Sequence, residues 1–267
     1  MFIFDAEKCN ACGTCTKGCH GNALSWVDGV LTCDEAKCNG CGHCLALCPC
    51  DAIMIDGDGY DIEEVEEFDA LTKATPKQIR RNIMMRRSVR SFNEEEVTDA
   101  ELAYIIESAK YAPTAMNKQD NALLVMQDPE EKKILMEKSM EEVKKMAENV
   151  AEKAPGLSKF FMSRYNAYKE TGEDSMWYGA PVVIYVFASS LQNGSICAAT
   201  MAQMAESLGL GTCYVQMPTD PFNNSPELMK EYEIPEGLKC VIALCVGHTD
   251  EEYFCSVPRK DLAITWK

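Results

Sequence analysis

Two runs of cysteines with identical spacing occupy the first fifty residues of this 267-residue chain. Each run reads C-x2-C-x2-C-x3-C, and a shift of 29 residues superposes Cys38 on Cys9 and the rest of the second run on the first. The match extends beyond the cysteines, since residues 22–26 fall on residues 51–55. A duplication of this kind predicts two similar units packed on each other, each with a short strand, a cysteine loop, a helical turn and a second strand.

This spacing is typical of a chain that holds two four-iron, four-sulfur clusters. Three thiolates on one tight loop can bind three irons of a cubane, while a fourth on the following helical turn points away from it. The fourth cysteine of each run must then bind the neighbouring cluster. We therefore expect one cluster on Cys9, Cys12, Cys15 and Cys48, and the other on Cys38, Cys41, Cys44 and Cys19.

Zinc and disulfides are the alternatives for so many cysteines. Zinc sites use two separated C-x2-C pairs and have no use for a third cysteine at the same short interval. A disulfide framework is typical of small exported proteins, but the chain starts without a signal-peptide pattern and its fifteen cysteines are an odd number. The spacing thus favours clusters over both alternatives, and Cys33 and Cys50 are left as core thiols.

Residues 1–57 resemble the clostridial-type ferredoxins, including the distance between the two runs. That family usually has proline after the fourth cysteine of each run; here Pro49 follows Cys48, but His20 follows Cys19. The resemblance implies a small ferredoxin-like domain with two clusters. Residues 56–69 hold eight carboxylates and no basic side chain, which predicts an acidic linker over residues 58–75 or, alternatively, a docking surface for a basic donor.

From residue 76 to residue 267 the pattern changes to helices mixed with a few strands. This predicts an α+β domain with helices around a central mixed sheet. Thr98 and Glu101 form a capping box at a helix start, and Gly209 is placed to end an apolar helix. The patterns predict helices at 76–85, 130–153 and 196–208, another helix capped by Ser225, and strands at 122–126, 181–188 and 238–246.

Three polar segments of this domain are candidates for a binding site. The segment Arg86–Arg90 carries three guanidiniums, whose planar forks match phosphate oxygens, although a basic run alone is more often a solvated face. The loop Pro113–Gln119 carries amide side chains that can bind a heterocycle, and Arg259 and Lys260 add two cations near the C-terminus.

In their order and spacing, these segments resemble the nitroreductase family of FMN proteins over roughly residues 76–265, together with the segments APVVIYVFA, AESLGLGTCYVQ and CVIALCVGH. The resemblance implies three groups of FMN contacts. The phosphate and ribityl chain would be held by Arg86, Arg87, Ser88, Arg90, Arg259 and Lys260. The isoalloxazine ring would lie against Pro113, Thr114, Ala115, Met116, Asn117 and Gln119. The segment near flavin N5 would be Tyr214, Val215 and Gln216.

Two departures from the family pattern bear on substrate choice and hydride-donor contacts. Gln119 is followed by Asp120 and Asn121 where relatives commonly have Pro-Trp, and Gln216 stands where many have an acidic residue. Members of the family are homodimers with FMN sites at the subunit interface. By that resemblance, the apolar helix Ile196–Leu208 is the interface candidate.

The two modules together predict an iron–sulfur flavoprotein oxidoreductase. We expect electrons to pass from a low-potential donor through the clusters to FMN and on to a small electrophile such as a nitroaromatic. No side chain is expected to be catalytic, because the flavin does the chemistry. The alternatives are an electron-transfer or redox-sensing flavoprotein without a small substrate, and an ene-reductase or dehalogenase on the same fold. We expect the electron donor to be an external ferredoxin or NAD(P)H. Residues 209–214 lack the third glycine of a dinucleotide fingerprint.

Charge and hydropathy exclude other classes. A net charge of −16 argues against a nucleic-acid partner, which needs a basic face. No uninterrupted apolar run approaches the roughly 20 residues that span a bilayer. Without an export signal we expect a cytoplasmic protein, and oxygen-labile clusters indicate an anaerobic or microaerobic cytoplasm.

Overall fold

The computed structural model describes residues 2–57, 59–60, 62–69 and 72–267. Four residues of the predicted acidic linker (Asp58, Asp61, Ala70 and Leu71) lie outside the described residues. The chain forms two compact units. The first comprises Met1–Lys73 with Thr114–Lys118, and the second comprises Ala74–Pro113 with Gln119–Lys267.

The first unit is built from two pairs of short antiparallel strands and two short helices. Strand β1 pairs with β4, and β2 pairs with β3. The first strand of one repeat therefore pairs with the last strand of the other. The elements are β1 (Phe2–Phe4), α1 (Thr14–Gly18), β2 (Leu24–Val27), β3 (Val30–Cys33), α2 (His43–Ala46) and β4 (Ile53–Ile55).

The backbone of this unit repeats with the same 29-residue offset as its sequence. Left-handed φ angles, which side chains other than glycine adopt at a cost, recur at equivalent positions of both repeats. These are 56° at Ala11 and 64° at Gly40, 71° at Gly13 and 72° at Gly42, and 49° at Asn22 and 48° at Asp51. The duplicated sequence therefore folds into a duplicated backbone, down to the turn that precedes each helix.

The second unit contains four strands and seven α-helices among its described residues. The first two helices precede the sheet, and the connections between strands supply the others. The elements are α3 (Pro76–Met85), α4 (Asp99–Lys110), β5 (Ala122–Met126), α5 (Pro129–Val150), α6 (Pro155–Thr171), β6 (Val182–Ala188), α7 (Leu191–Ser207), β7 (Gly211–Val215), α8 (Asp220–Asn224), α9 (Pro226–Glu231) and β8 (Lys239–Gly247).

The sheet has the order β5-β6-β8-β7, and each neighbouring pair is antiparallel. The prediction of a mixed sheet was wrong for these strands. Strands β6 and β7 do run in the same direction, but β8 lies between them and opposes both. The parallel pairing among the described residues is an isolated bridge between Ser88 and Thr212.

Helices cover both faces of the sheet, and the central strand β6 shows how. All its residues are buried. Val183, Tyr185 and Phe187 pack with residues of α5 and α6, whereas Ile184 and Val186 pack with residues of α4 and α7. The alternation follows from the two-residue period of a strand. The α+β class predicted from the sequence is thereby confirmed.

Local capping signals place several helix ends. Thr98 and Glu101 form the predicted capping box of α4, with the Glu101 carboxylate accepting from the Thr98 N–H at 2.8 Å. Gly209 has a φ of 83° and ends α7 as predicted. The start of α7 lies five residues earlier than predicted, because Ser190 Oγ accepts from the Asn193 N–H and caps the helix there. No helix in the described part of the chain is long and apolar enough to cross a bilayer.

Candidate functional site

A cavity in the first unit brings together cysteines from both runs. Cys9, Cys12 and Cys15 of the first loop line it, and Cys48 of the second run completes the set. Apolar side chains, Leu31 among them, form much of the remaining wall. Three cysteines of one loop and the fourth of the other thus share one cavity, which is the crossed arrangement expected from the spacing.

Backbone amides point at the sulfur of the fourth cysteine in both repeats. The Ala23 N–H donates to Cys19 Sγ at 3.3 Å, and the Ala52 N–H donates to Cys48 Sγ at 3.3 Å. The Ala11 N–H donates to Cys9 Sγ at 3.4 Å. Such bonds stabilise negative charge on sulfur and are among the features that tune iron–sulfur clusters.

The second run forms a similar group of thiols. Cys41 is exposed, whereas Cys38, Cys44 and Cys19 are partly buried. Burial, followed by the nearby thiols of this group, raises the pKa of Cys33 to about 12. Cys33, predicted to be a core thiol, therefore lies beside the second group.

Protonation differs among the candidate ligands. Burial raises the pKa of the thiols of Cys15 and Cys44, whereas the hydrogen bond with the Thr14 hydroxyl lowers the pKa of Cys12. All fifteen cysteines, each within the described part of the chain, are free thiols. Within residues 2–57, 59–60, 62–69 and 72–267, no three or more His, Cys, Asp or Glu residues are grouped so that they could hold a metal ion. The clusters stay a prediction.

In the second unit, the arginine segment lies along strand β7. The Val89 N–H donates to the Thr212 carbonyl at 2.9 Å, next to the parallel bridge between Ser88 and Thr212. The Arg86 guanidinium lies over the Tyr214 ring, 5.6 Å from its centroid. Residues predicted to contact opposite ends of FMN, Arg86 and Tyr214, are therefore neighbours.

Two buried polar atoms at this place lack hydrogen-bond partners among the described residues. They are Arg86 Nη1 and Thr212 Oγ1. An unsatisfied buried donor costs about 1–3 kcal/mol, and more when it is charged, so a ligand with acceptor oxygens would stabilise it. Glu206 lies near Arg86 and Arg87; burial raises the pKa of its carboxyl, and the two guanidiniums oppose that shift.

Arg87 and Arg90, the other basic residues of the segment, form hydrogen bonds with backbone carbonyls. Arg87 Nη1 donates to the carbonyls of Met84 at 2.6 Å and Arg86 at 2.9 Å, and Arg87 Nη2 reaches the carbonyl of Cys255 at 3.5 Å. Arg90 Nη1 donates to the Ser88 carbonyl at 3.2 Å. These bonds order the backbone of the segment around Arg86.

The loop predicted to lie against the flavin divides between the two units. Residues 114–118 belong to the first unit, where Asn117 Nδ2 donates to the carbonyl of Asn39 at 3.0 Å. Pro113 and Gln119 belong to the second unit and are exposed. Met116, Asn117 and Gln119 all have positive φ, at 56°, 52° and 48°. Three such residues close together store backbone strain, which is common in ligand-binding loops.

The remaining predicted contacts are dispersed. Val215 is buried at the end of β7, and Gln216 Nε2 donates to the Val241 carbonyl at 3.1 Å, which holds its amide against the chain. Arg259 and Lys260 are exposed, in the segment 250–267 in which every residue is exposed. The structure thus brings Arg86, Ser88 and Arg90 to β7, and leaves Arg259 and Lys260 on the surface.

Thr212 was missed by sequence reasoning. Its position in a run of alternating residues after Gly211 is a signal for a strand, but its backbone pairs with residues 88–89, far away in sequence. Hydroxyls buried by long-range pairing leave no local pattern.

Helices cover both faces of a four-stranded antiparallel sheet, and an arginine segment lies along its edge strand β7, which defines the second unit as an α+β domain. The model of the family described as "Nitroreductase family" matches residues 83–248, more than half of the chain. The chain belongs to the nitroreductase family.

Individual relatives agree with this membership. An FMN reductase [NAD(P)H] of Bacillus subtilis (strain 168) is 28% identical over 174 residues, 61% of this chain. This chain spans 62% of the length of that relative. A nitroreductase with bound FMN from Desulfitobacterium hafniense DCB-2 is 26% identical, with a TM-score of 0.53 over 71% of this chain and 98% of its own. A nitroreductase with bound FMN from Bacteroides fragilis NCTC 9343, 19% identical, has a TM-score of 0.54 over 70% and 97%.

Proposed function

We propose that this protein is an FMN-dependent oxidoreductase that receives electrons through two four-iron, four-sulfur clusters. The observation that carries the proposal is the cavity that Cys48 shares with Cys9, Cys12 and Cys15. The cluster domain would be residues 1–57, and the acidic segment 58–75 would join it to the FMN domain, residues 76–267.

The cysteines suit cubanes better than a single metal ion. A cubane binds its four thiolates through four different irons, so its ligands line a cavity and do not converge on one point. The amide bonds to Cys19 and Cys48 give both fourth ligands the same support. The proposed ligands are Cys9, Cys12, Cys15 and Cys48 for one cluster, and Cys38, Cys41, Cys44 and Cys19 for the other.

The second unit offers a site that suits FMN. Arg86 Nη1 is a buried donor that needs an acceptor, which a phosphate or ribityl oxygen would supply. The likeness to a 26% identical nitroreductase with bound FMN supports the same ligand here. We keep all fifteen contacts proposed from the family resemblance, with Arg86 and Ser88 at their centre.

When bound, the clusters would carry single electrons and FMN would store two and release them as hydride. The chain's own part is to hold these groups and shape access to them. Asn117 contributes to both tasks, because its segment is proposed to lie against the flavin and its amide binds the backbone beside Cys38. The proposed substrate is a small electrophile such as a nitroaromatic, and the donor is reduced ferredoxin or NAD(P)H.

We further propose a cytoplasmic homodimer. Several large apolar side chains of the C-terminal segment are almost fully exposed, among them Phe254 at 90% and Trp266 at 88%. Ile196, at 42%, is exposed in the segment Ile196–Leu208 proposed as the interface. Apolar groups of this size gain stability when a second copy of the chain covers them.

Anaerobic purification followed by iron, sulfide and flavin analysis tests the proposal. We expect about eight irons and about one FMN per chain. Dithionite, and then NADH or NADPH, would be added to see which donor bleaches the flavin. A screen of nitroaromatics, activated alkenes and haloaromatics would follow, and turnover of none of them would favour the carrier over the enzyme. Flavin without iron would leave a simple FMN reductase, and zinc in place of iron would refute the clusters.

A further inference from the structure

A fifth cysteine lines the cavity that holds the first four. Cys50 borders the same space as Cys9, Cys12 and Cys15, and its Sγ lies 3.8 Å from Cys48 Sγ, within the range of a sulfur hydrogen bond. Cys50 is partly buried and two residues beyond Cys48. The Cys50 thiol therefore contacts the sulfur atom of Cys48, which is proposed to bind iron.

The other repeat has no counterpart of this thiol. The residue 29 positions earlier is Gly21, two residues beyond Cys19. A Cβ at Gly21 would lie 2.7 Å from the Lys37 carbonyl oxygen, so that position excludes any side chain. The amide bonds to Cys19 and Cys48 are equal at 3.3 Å, which leaves Cys50 as a difference between two otherwise matched ligands.

We propose that Cys50 is a positioning residue that donates an S–H···S hydrogen bond to Cys48 and raises the reduction potential of the cluster held by Cys9, Cys12, Cys15 and Cys48. This inference rests on the proposed function, because it needs that cluster. A ligating thiolate carries no proton, so the proton in this bond belongs to Cys50.

The direction of the effect follows from charge. Reduction adds one negative charge to the cluster and its thiolates, and a donor to a thiolate stabilises the reduced form more than the oxidised form. Removing the donor therefore lowers the potential. Gly21 offers no such donor to Cys19, so Cys50 gives the first cluster a donor on its fourth ligand that the second cluster lacks at the equivalent position.

Redox titrations of the full-length protein, followed by electron paramagnetic resonance, test this inference. The variants are Cys50→Ala, which removes the donor, Cys50→Ser, which keeps a hydroxyl donor, and Cys33→Ala, which removes the other spare thiol near the second group. We expect each variant to contain as much iron per chain as the wild type. In Cys50→Ala one midpoint should become more negative, by up to about 60 mV, the shift of a tenfold change in a one-electron equilibrium. Cys50→Ser should restore part of that shift, and Cys33→Ala should leave that midpoint unchanged.

Iron and sulfide content separates the failures. Wild-type protein without clusters would refute the proposed function and this inference with it, before any potential is measured. Full iron with both midpoints unchanged in Cys50→Ala would overturn the inference alone. Loss of about half the iron in Cys50→Ala would also overturn it, because Cys50 would then be a ligand.

Discussion

Gly211 and Val89 approach so closely that a Cβ built on Gly211 would lie 2.9 Å from both γ-carbons of Val89. This approach allows the arginine segment to pair with β7, where the Val89 N–H donates to the Thr212 carbonyl at 2.9 Å. The glycine is needed here for space, since its φ is not in the left-handed region. The pairing of Ser88 and Val89 with Thr212 depends on that missing side chain.

Gly211→Ala should therefore weaken both the fold and FMN binding. Overpacking of a tight contact typically costs about 1–3 kcal/mol, and we expect the free energy of unfolding to fall by that amount. FMN affinity, measured by fluorescence titration of the apoprotein, should fall as well. The matched control is Gly156→Ala in α6, where no heavy atom lies within 4 Å of an added Cβ. That change should be neutral or stabilising by about 0.5–1 kcal/mol.

Arg86→Gln should reduce FMN affinity by about 10- to 100-fold, the loss of a charged hydrogen bond of roughly 1.5–3 kcal/mol. Its Nη1 atom is buried without a hydrogen-bond partner among the described residues. The substitution therefore removes no hydrogen bond of that atom from the free protein, and the loss of free energy falls on the complex with FMN. Iron content should not change. Arg81→Gln removes an exposed guanidinium from the same region and should bind FMN as the wild type does. Equal losses in both variants would mean that net charge, and no specific contact, attracts the phosphate.

The proposed crossing of ligands between the two repeats makes a prediction about iron loss. Cys48→Ser and Cys19→Ser should each reduce iron from about eight to about four atoms per chain, because each removes a ligand of a different cluster. The two variants should lose different electron paramagnetic resonance signals, whereas Cys255→Ser, an exposed thiol after β8, should lose neither. If Cys48→Ser removed the same signal as a change at Cys41, the ligands would not cross between repeats.

Local chemistry explains which parts of this fold could be predicted from sequence. The capping box at Thr98 and the glycine that ends α7 depend on a few adjacent residues, and both were placed correctly. The strand Ala122–Met126 was also placed correctly. No helix was predicted at α6, because its burial depends on packing against α5, and Phe161 is its one buried residue among those described.

Long-range pairing explains what could not be predicted. The order of the sheet, with β8 between β6 and β7, depends on contacts between residues far apart in sequence, so a mixed sheet was expected instead. The spacing of the cysteines placed Cys48 with the first loop, since a duplication fixes the geometry of its partner. Nothing comparable predicted the pairing of Thr212 with Ser88 and Val89, because an isolated bridge has no periodic signal in the sequence.

Asn117→Ala should slow electron transfer to the flavin. Its amide donates to the Asn39 carbonyl at 3.0 Å within the first unit, and its loop is proposed to lie against FMN. Loss of this bond, worth about 0.5–1.5 kcal/mol, should loosen the loop without removing iron. Stopped-flow reduction by dithionite, observed at the flavin absorbance, measures the rate. Lys118→Ala, which truncates an exposed neighbour, is the control, and equal rates in Asn117→Ala and wild type would refute a role for this bond.

Cys197 should make stability depend on pH in the alkaline range. Burial in α7 raises the pKa of this thiol from 9.0 to about 11. A raised pKa gives a stabilising contribution that is complete below the unfolded value and is lost as pH rises from about 9 through about 11. Two pH units correspond to at most about 2.7 kcal/mol. Cys197→Ala and Cys197→Val both lack this contribution, so each should lose less stability than the wild type between pH 9 and 11, whatever its stability at pH 7.

Urea unfolding across this range, under reducing conditions, measures the difference. Parallel curves for all three proteins would show that the folded chain admits the Cys197 thiolate without cost, and that the apolar contacts of α7 open to water before the thiol ionises.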